Sequence, residues 1–238
     1  MPATIAVLDG RLRVGLDEGE IQRIATHESV KVSSRDLGPA IAGNRLGATT
    51  VAASVRAAAL AGIRFFATGG IGGVHRGHAE DESADLEEIA RCPVAVFCAG
   101  AKIVLDLRLT LERLESLAVP VLGFTTDDFP AFYTRRSGCP VSARVEDEAA
   151  TAQVLRAAWS TGAQGVVVAV PPPYDLDGAE DFARQAVSES AGVSGAAVTP
   201  HLLARMAELS GGRSVELNVD LVVNNARIAA QVAKEFFA

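Results

Sequence analysis

The chain has 238 residues, about half of them apolar and few of them aromatic, with a formal net charge of −7. That length can bury a substantial core, while the acidity and the shortage of aromatic rings argue against a nucleic-acid surface. No apolar run approaches the roughly 20 residues of a membrane-spanning helix.

The N-terminus lacks the charged-then-apolar order of a secretory signal, so a cytoplasmic protein is expected. Cys92, Cys98 and Cys139 are irregularly spaced and fit no zinc-ligand pattern; Cys98 ends an apolar run and reads as a buried structural residue.

In chain order, Thr4 to Leu8 reads as a strand and Asp17 to Ala25 as a short amphipathic helix. Lys31 alternates with Val30 and Val32 as on an edge strand. Gly47 to Ala61, rich in alanine, reads as one buried helix. Arg64 to Thr68 is a strand running into Gly69-Gly70-Ile71-Gly72-Gly73. Val94 to Cys98 is a further strand, with a helix expected from Lys102 to Leu117 and a strand from Val119 to Gly123.

Glu148 to Ser160 reads as a helix, and Gly165 to Val170 as a strand buried on both faces and ended by three prolines. Helices follow at Ala179 to Ser190, Pro200 to Leu209 and Val219 to Phe237, with Asn218 the expected N-cap of the last. Gly192 to Gly195 reads as loop punctuation. Short buried strands alternating with helices predict one α/β domain over 1–238, a mainly parallel sheet flanked by helices. In such sheets ligands bind beyond the carboxyl ends of the strands, which directs attention to the loops after Thr68, Cys98 and Val170.

Five glycines between 69 and 77 let backbone amides approach an anion, and His75 and Arg76 add positive charge, although the register is not that of a dinucleotide fingerprint. Asp81, Ser83 and Asp85 admit two readings. They are the capped, acidic first turn of a helix, or a divalent-metal carboxylate followed by groups that hold substrate. Lys31, with Ser33, Ser34 and Arg35, is either an outward-facing strand residue or part of an anion site.

Lys102 is either a surface lysine paired with Asp106 or an amine nucleophile at a helix start. A solvated lysine is neutral in only about one molecule in 2,500 at pH 7, so a nucleophilic role requires roughly 4–5 kcal/mol of destabilisation of the cation. Asn224 and Asn225 read as polar contacts of the last helix.

Taken together, VSSRDL (32–37), GATTVA (47–52), FATGGIGGVHRG (66–77), SADL (83–86), CAGAK (98–102), TPHLLARMAELSGG (199–212) and LVVNNA (221–226) resemble the pseudouridine-5'-phosphate glycosidase family in order and approximate spacing over essentially the whole chain. The resemblance implies an α/β/α fold, a homotrimer, bound Mn²⁺, and reversible cleavage of the C–C bond of pseudouridine 5'-phosphate to uracil and ribose 5-phosphate. It implies that Lys102 forms the covalent sugar adduct and Asp81 holds the metal. Lys31, Val51, His75, Ser83, Ala84, Asp85 and Asn218 fall to the substrate, Asn218 to its uracil.

The family's general acid is a glutamate in an N-terminal segment like LESTIxxHGMP. No such segment occurs in this sequence, and Glu18, Glu20 and Glu28 stand in other contexts. The expected fold therefore lacks the family's N-terminal strand. A sugar-phosphate-binding remnant of low activity is the alternative function. An aldolase-like Schiff-base enzyme would account for Lys102 and the glycines but not for the ordered motifs.

Overall fold

The computed structural model describes residues 2–190 and 198–238, so Gly192 to Gly195 lie outside the described residues. β1 (Ile5–Leu8) reverses through Asp9 and Gly10, both at positive φ, into antiparallel β2 (Arg11–Val14). An Asp-Gly pair suits this tight turn because its backbone twist matches that of the strands. The helix α1 (Glu18–Thr26) opens on a reciprocal capping box between Asp17 and Glu20. β3 (Val30–Val32), a 3₁₀ turn at Ser34–Asp36 and α2 (Leu37–Ala42) lead to β4 (Gly47–Thr49), completing a sheet of order β2-β1-β4-β3. Lys31 lies on its edge strand, as expected.

The expected single helix from Gly47 to Ala61 is corrected. Gly47 to Thr49 pair with β1 and β3, and the helix α3 (Val51–Leu60) starts only after Thr50, whose side chain accepts from Ala53 N–H. Gly47 suits the strand because a Cβ there would stand 2.6 Å from the Val32 Cγ2.

β5 (Phe65–Ala67) enters the glycine segment, which leads to a small hairpin of β6 (Val74–His75) and β7 (His78–Glu82) and then to α4 (Ala84–Arg91). β8 (Ala95–Cys98) is followed by an irregular turn, the two-residue β9 (Leu105–Asp106), and α5 (Leu107–Ser116). The expected helix from Lys102 is thus also corrected: Asp106 is the N-cap, accepting from Leu109 N–H, and Lys102 precedes the helix by a full turn. The chain continues through β10 (Val121–Phe124), β11 (Ala143–Val145), α6 (Glu148–Ser160) and β12 (Val166–Ala169). It ends in α7 (Ala179–Ser188), α8 (Val198–Leu209) and α9 (Arg213–Phe237). Asn218 lies inside α9, so it is not an N-cap.

The central sheet has order β11-β10-β12-β8-β5, and every pairing in it is parallel. Alternation along the strands sorts side chains between two layers. Phe97, Val166 and Val168 pack with Leu155 of α6 and Ile228 and Val232 of α9. Val96, Cys98, Val167 and Ala169 face the other way, with Leu86, Ile89 and Leu114 of α4 and α5. This is the expected α/β/α layering. Among the described residues no helix is long and apolar enough to cross a membrane.

Candidate active site

A cavity of about 730 Å³ opens between the N-terminal sheet and the segments that follow β5 and β8. Its wall brings together Lys31, Val51, His75, Asp81, Ser83, Ala84, Asp85 and Lys102, residues scattered over seventy positions of sequence. Ser29, Thr49, Thr50, Asp36, Glu82 and Leu105 join them and were not singled out in the sequence. Thr50 had a readable signal, a threonine before an alanine-rich run.

Asn218 does not line this cavity. It sits against the glycine segment, where its Oδ1 would be 2.7 Å from a Cβ on Gly69. Asn225 is fully buried and donates to Thr68 O at 2.7 Å, tying α9 to the end of β5.

Lys102 is half-buried, with its N–H on Ile71 O at 3.2 Å. Burial holds its amine below the ordinary lysine range; Lys31 acts in the same direction, and the charge of Asp85 opposes both. The helix-start argument is replaced by desolvation, because the helix begins five residues later. The pairing with Asp106 gives way as well, since that side chain caps α5.

Asp85, only 5 % exposed, joins two walls of the cavity. Its Oδ1 accepts from Ala52 N–H in the first turn of α3, and its Oδ2 from Gly72 N–H, both at 2.8 Å. Gly72 is required at this contact: a Cβ there would run into the Ser83 hydroxyl and stand 2.8 Å from Asp85 Oδ2. Ser83 caps α4 by accepting from Asp85 N–H, as the capping pattern predicts. Asp81 and Glu82 belong to β7 instead of the helix.

Lys31, Ser33 and Arg35 line the same cavity, with Val51 at the N-terminus of α3. Lys31 and the first turn of α3 favour an anion here, while Asp36 pairs with Arg35 at 3.5 Å and Asp85 already holds the Ala52 N–H.

The Asp81 carboxylate is about half exposed and stands 3.1 Å from His75 Nδ1, which also lies 3.1 Å from the Asp81 backbone carbonyl oxygen. Among the described residues, no group of three or more His, Cys, Asp or Glu is arranged to hold a metal ion. One accessible carboxylate in a polar cavity nevertheless fits a hard divalent cation that keeps most of its waters.

The profile of the family described as Indigoidine synthase A like protein matches residues 1–235. A protein of Nocardioides sp. named pseudouridine-5'-phosphate glycosidase is 50 % identical over 246 residues, covering 99 % of this chain and 80 % of its own length. One of the same name from Caldanaerobacter subterraneus is 48 % identical over 243 residues, with 98 % and 79 % covered. The chain belongs to this family. Among solved structures, a prealnumycin C-glycosynthase in complex with ribulose 5-phosphate matches with a TM-score of 0.90 at 37 % identity, over 99 % of this chain and 81 % of that one. An indigoidine synthase A-like protein from Thermotoga maritima also gives 0.90, at 31 % identity, over 97 % and 79 %. These solved neighbours cover nearly the whole chain, so the shared architecture includes the N-terminal sheet and the segments after β5 and β8 that wall the cavity.

Proposed function

We propose that this protein cleaves and re-forms the C–C glycosidic bond of pseudouridine 5'-phosphate through a covalent adduct on Lys102. The observation that carries the reading is the half-buried Lys102 amine, held below its ordinary range on the wall of a cavity that also holds Lys31, Ser33 and Arg35. The names of the relatives and the pentulose phosphate bound to the C-glycosynthase support a sugar phosphate as occupant.

A C-glycoside offers no leaving oxygen or nitrogen for one protonation to release. The Lys102 amine displaces the ring oxygen from C1. The C1–N bond forms as the C1–O4′ bond breaks, the nitrogen gives up a proton and O4′ takes one up. The open-chain amine then supplies the missing driving force. Its lone pair forms the C=N bond while the electron pair of the C1–C5 bond departs with uracil, which takes up a proton at C5. Water then hydrolyses the imine, releasing ribose 5-phosphate and the free Lys102 amine. Lys31, Ser33, Arg35 and the α3 N-terminus at Val51 bind the phosphate; Ser83 and Ala84 border the sugar. Asn218 stands outside this cavity, against Gly69, and the reading gives it no contact with the substrate. Asp81 would hold Mn²⁺, with His75 beside its carboxylate at 3.1 Å. The ion supplies a Lewis acid for substrate oxygens when bound.

The test is borohydride reduction in the presence of ribose 5-phosphate, followed by peptide mass mapping. The expected adduct is on Lys102, and Lys102→Ala should lose both the adduct and turnover of pseudouridine 5'-phosphate. A folded wild-type protein with no adduct at Lys102 overturns the proposal. For the metal, Asp81→Ala should abolish the Mn²⁺ dependence of the rate.

A homotrimer belongs to the same reading. Val215, Val219, Val222 and Val223 give α9 an apolar stripe, each residue at least 41 % exposed. Sedimentation velocity tests this, and a monomer at micromolar concentration would contradict it.

A further inference from the structure

The segment that carries Lys102 is neither strand nor helix where it matters. It leaves β8 through Ala99-Gly100-Ala101 and reaches β9 at Leu105. Backbone bonds fix its start, with Ile71 N–H donating to Gly100 O at 3.0 Å and Lys102 N–H to Ile71 O at 3.2 Å. β9 fixes its end, where His75 pairs with Leu105 and Val74 with Asp106. Between these anchors Ile103, Val104 and Leu105 are buried, none more than 2 % exposed. Carbonyls in such a buried turn need partners.

Arg76 supplies two of them. Its Nη2 donates to Ile103 O at 2.7 Å and its Nε to Leu105 O at 3.0 Å. A planar guanidinium presents two donors in a fixed fork and so can bridge carbonyls two residues apart, whereas an ammonium is a single point donor. Arg76 does not line the cavity that holds Lys102. It borders a different cleft, with Ile103, Leu105, Asp106 and Glu180, and grips the turn from behind.

We propose that Arg76 is a positioning residue for Lys102, fixing the turn from Ile103 to Leu105 so that the amine keeps its half-buried place on the cavity wall. The inference rests on the assignment of Lys102 as nucleophile. It gives Arg76 a task other than the anion contact that its glycine-rich neighbourhood suggests. Because burial is the main cause of the lowered Lys102 titration, a loosened turn should hydrate the amine and move it back towards the ordinary range. The charged groups that face it are Asp85 on α4 and Lys31 on β3, with Arg35, Asp36, His75, Asp81 and Glu82 elsewhere on the cavity wall. None of these is altered by a change at Arg76.

The chain contains three lysines, Lys31, Lys102 and Lys234, so competitive acetylation with peptide mass mapping can follow Lys102 as a function of pH with Lys234 as internal standard. The measurement needs no substrate. In Arg76→Ala the Lys102 profile should move to higher pH while that of Lys234 stays put, and the borohydride-trapped adduct at pH 7 should fall severalfold. Arg76→Lys keeps the charge but reaches only one carbonyl, so its profile should lie between the two.

If Arg76→Ala does not fold, Arg76→Lys decides. A folded Arg76→Lys that titrates like the wild type overturns the positioning role, because charge alone would then account for any effect of Arg76→Ala. An unchanged profile in Arg76→Ala overturns it too. A wild-type Lys102 that acetylates at low pH yet forms no sugar adduct sinks the functional reading and leaves the Arg76 inference standing. An adduct in the wild type with unmoved profiles in both variants does the reverse.

Discussion

A lysine cation kept half out of water destabilises the fold that holds it, and this is where Lys102 is most open to test. Its amine titrates below the ordinary range, so between that lowered value and the unfolded chain's value the unfolded state binds more protons. Stability contributed at this site therefore rises with pH through that window. Lys102→Met should melt at a higher temperature than the wild type at pH 7, and the gap should narrow as pH approaches lysine's ordinary ~10.4. Thermal melts across pH 7–10 check it, and a variant less stable at neutral pH would contradict it. At Gly72 the demand is steric. Gly72→Ala should cost about 1–3 kcal/mol in denaturant unfolding, because Ser83 and Asp85 must give way. The grouping of the candidate site was legible at this scale: Lys31, Val51, His75, Asp81, Ser83, Ala84, Asp85 and Lys102 line one cavity. The double tether of Asp85 was not legible, since Ala52 and Gly72 lie 33 and 13 residues away in sequence and nothing local marks them as its partners.

Among the elements, the small hairpin of β6 and β7 has little core of its own and leans on α5. Thr110, fully buried, accepts from Val74 N–H at 3.0 Å and donates to Asp106 O at 2.6 Å. Thr110→Val keeps the shape and leaves the Val74 N–H without its partner, at a cost of about 1–3 kcal/mol. Because β6 carries His75, the loss should also lower adduct yield; equilibrium unfolding and borohydride trapping together would reveal it. Elements whose pattern is local were readable from the sequence. α6 runs from Glu148 to Ser160, as expected, because Asp147 caps it and a buried stripe repeats along it. The core strands β8 and β12 were visible as unbroken apolar runs. β4 and β9 were not, because two or three residues become strand only through partners such as Val7 or His75 that are far away in the chain. The helical composition of their neighbours then decided the reading wrongly for Gly47 and for Lys102.

For the molecule as a whole, the candidate cavity lies where a large core meets a small one. The central sheet is packed on both faces, while the N-terminal sheet rests on a cluster of Val7, Val32, Leu37, Ala40 and Ala53. Opening free energy follows the amount of packed core, so amides of β1, β3 and β4 should exchange faster than those of β8 and β12. Ribose 5-phosphate should slow the first group selectively. Hydrogen-exchange mass spectrometry separates these outcomes, and uniform protection would contradict the division. One carboxylate spans that join. With one oxygen on α3 and the other on the glycine segment, Asp85 sets the spacing between the wall proposed to bind phosphate and the Lys102 segment, and so would act as a ruler. A ruler measures chain length. In competition for the reducible adduct, ribose 5-phosphate should outdo both erythrose 4-phosphate and glucose 6-phosphate, whose aldehyde carbons fall one carbon short of the mark and one beyond it.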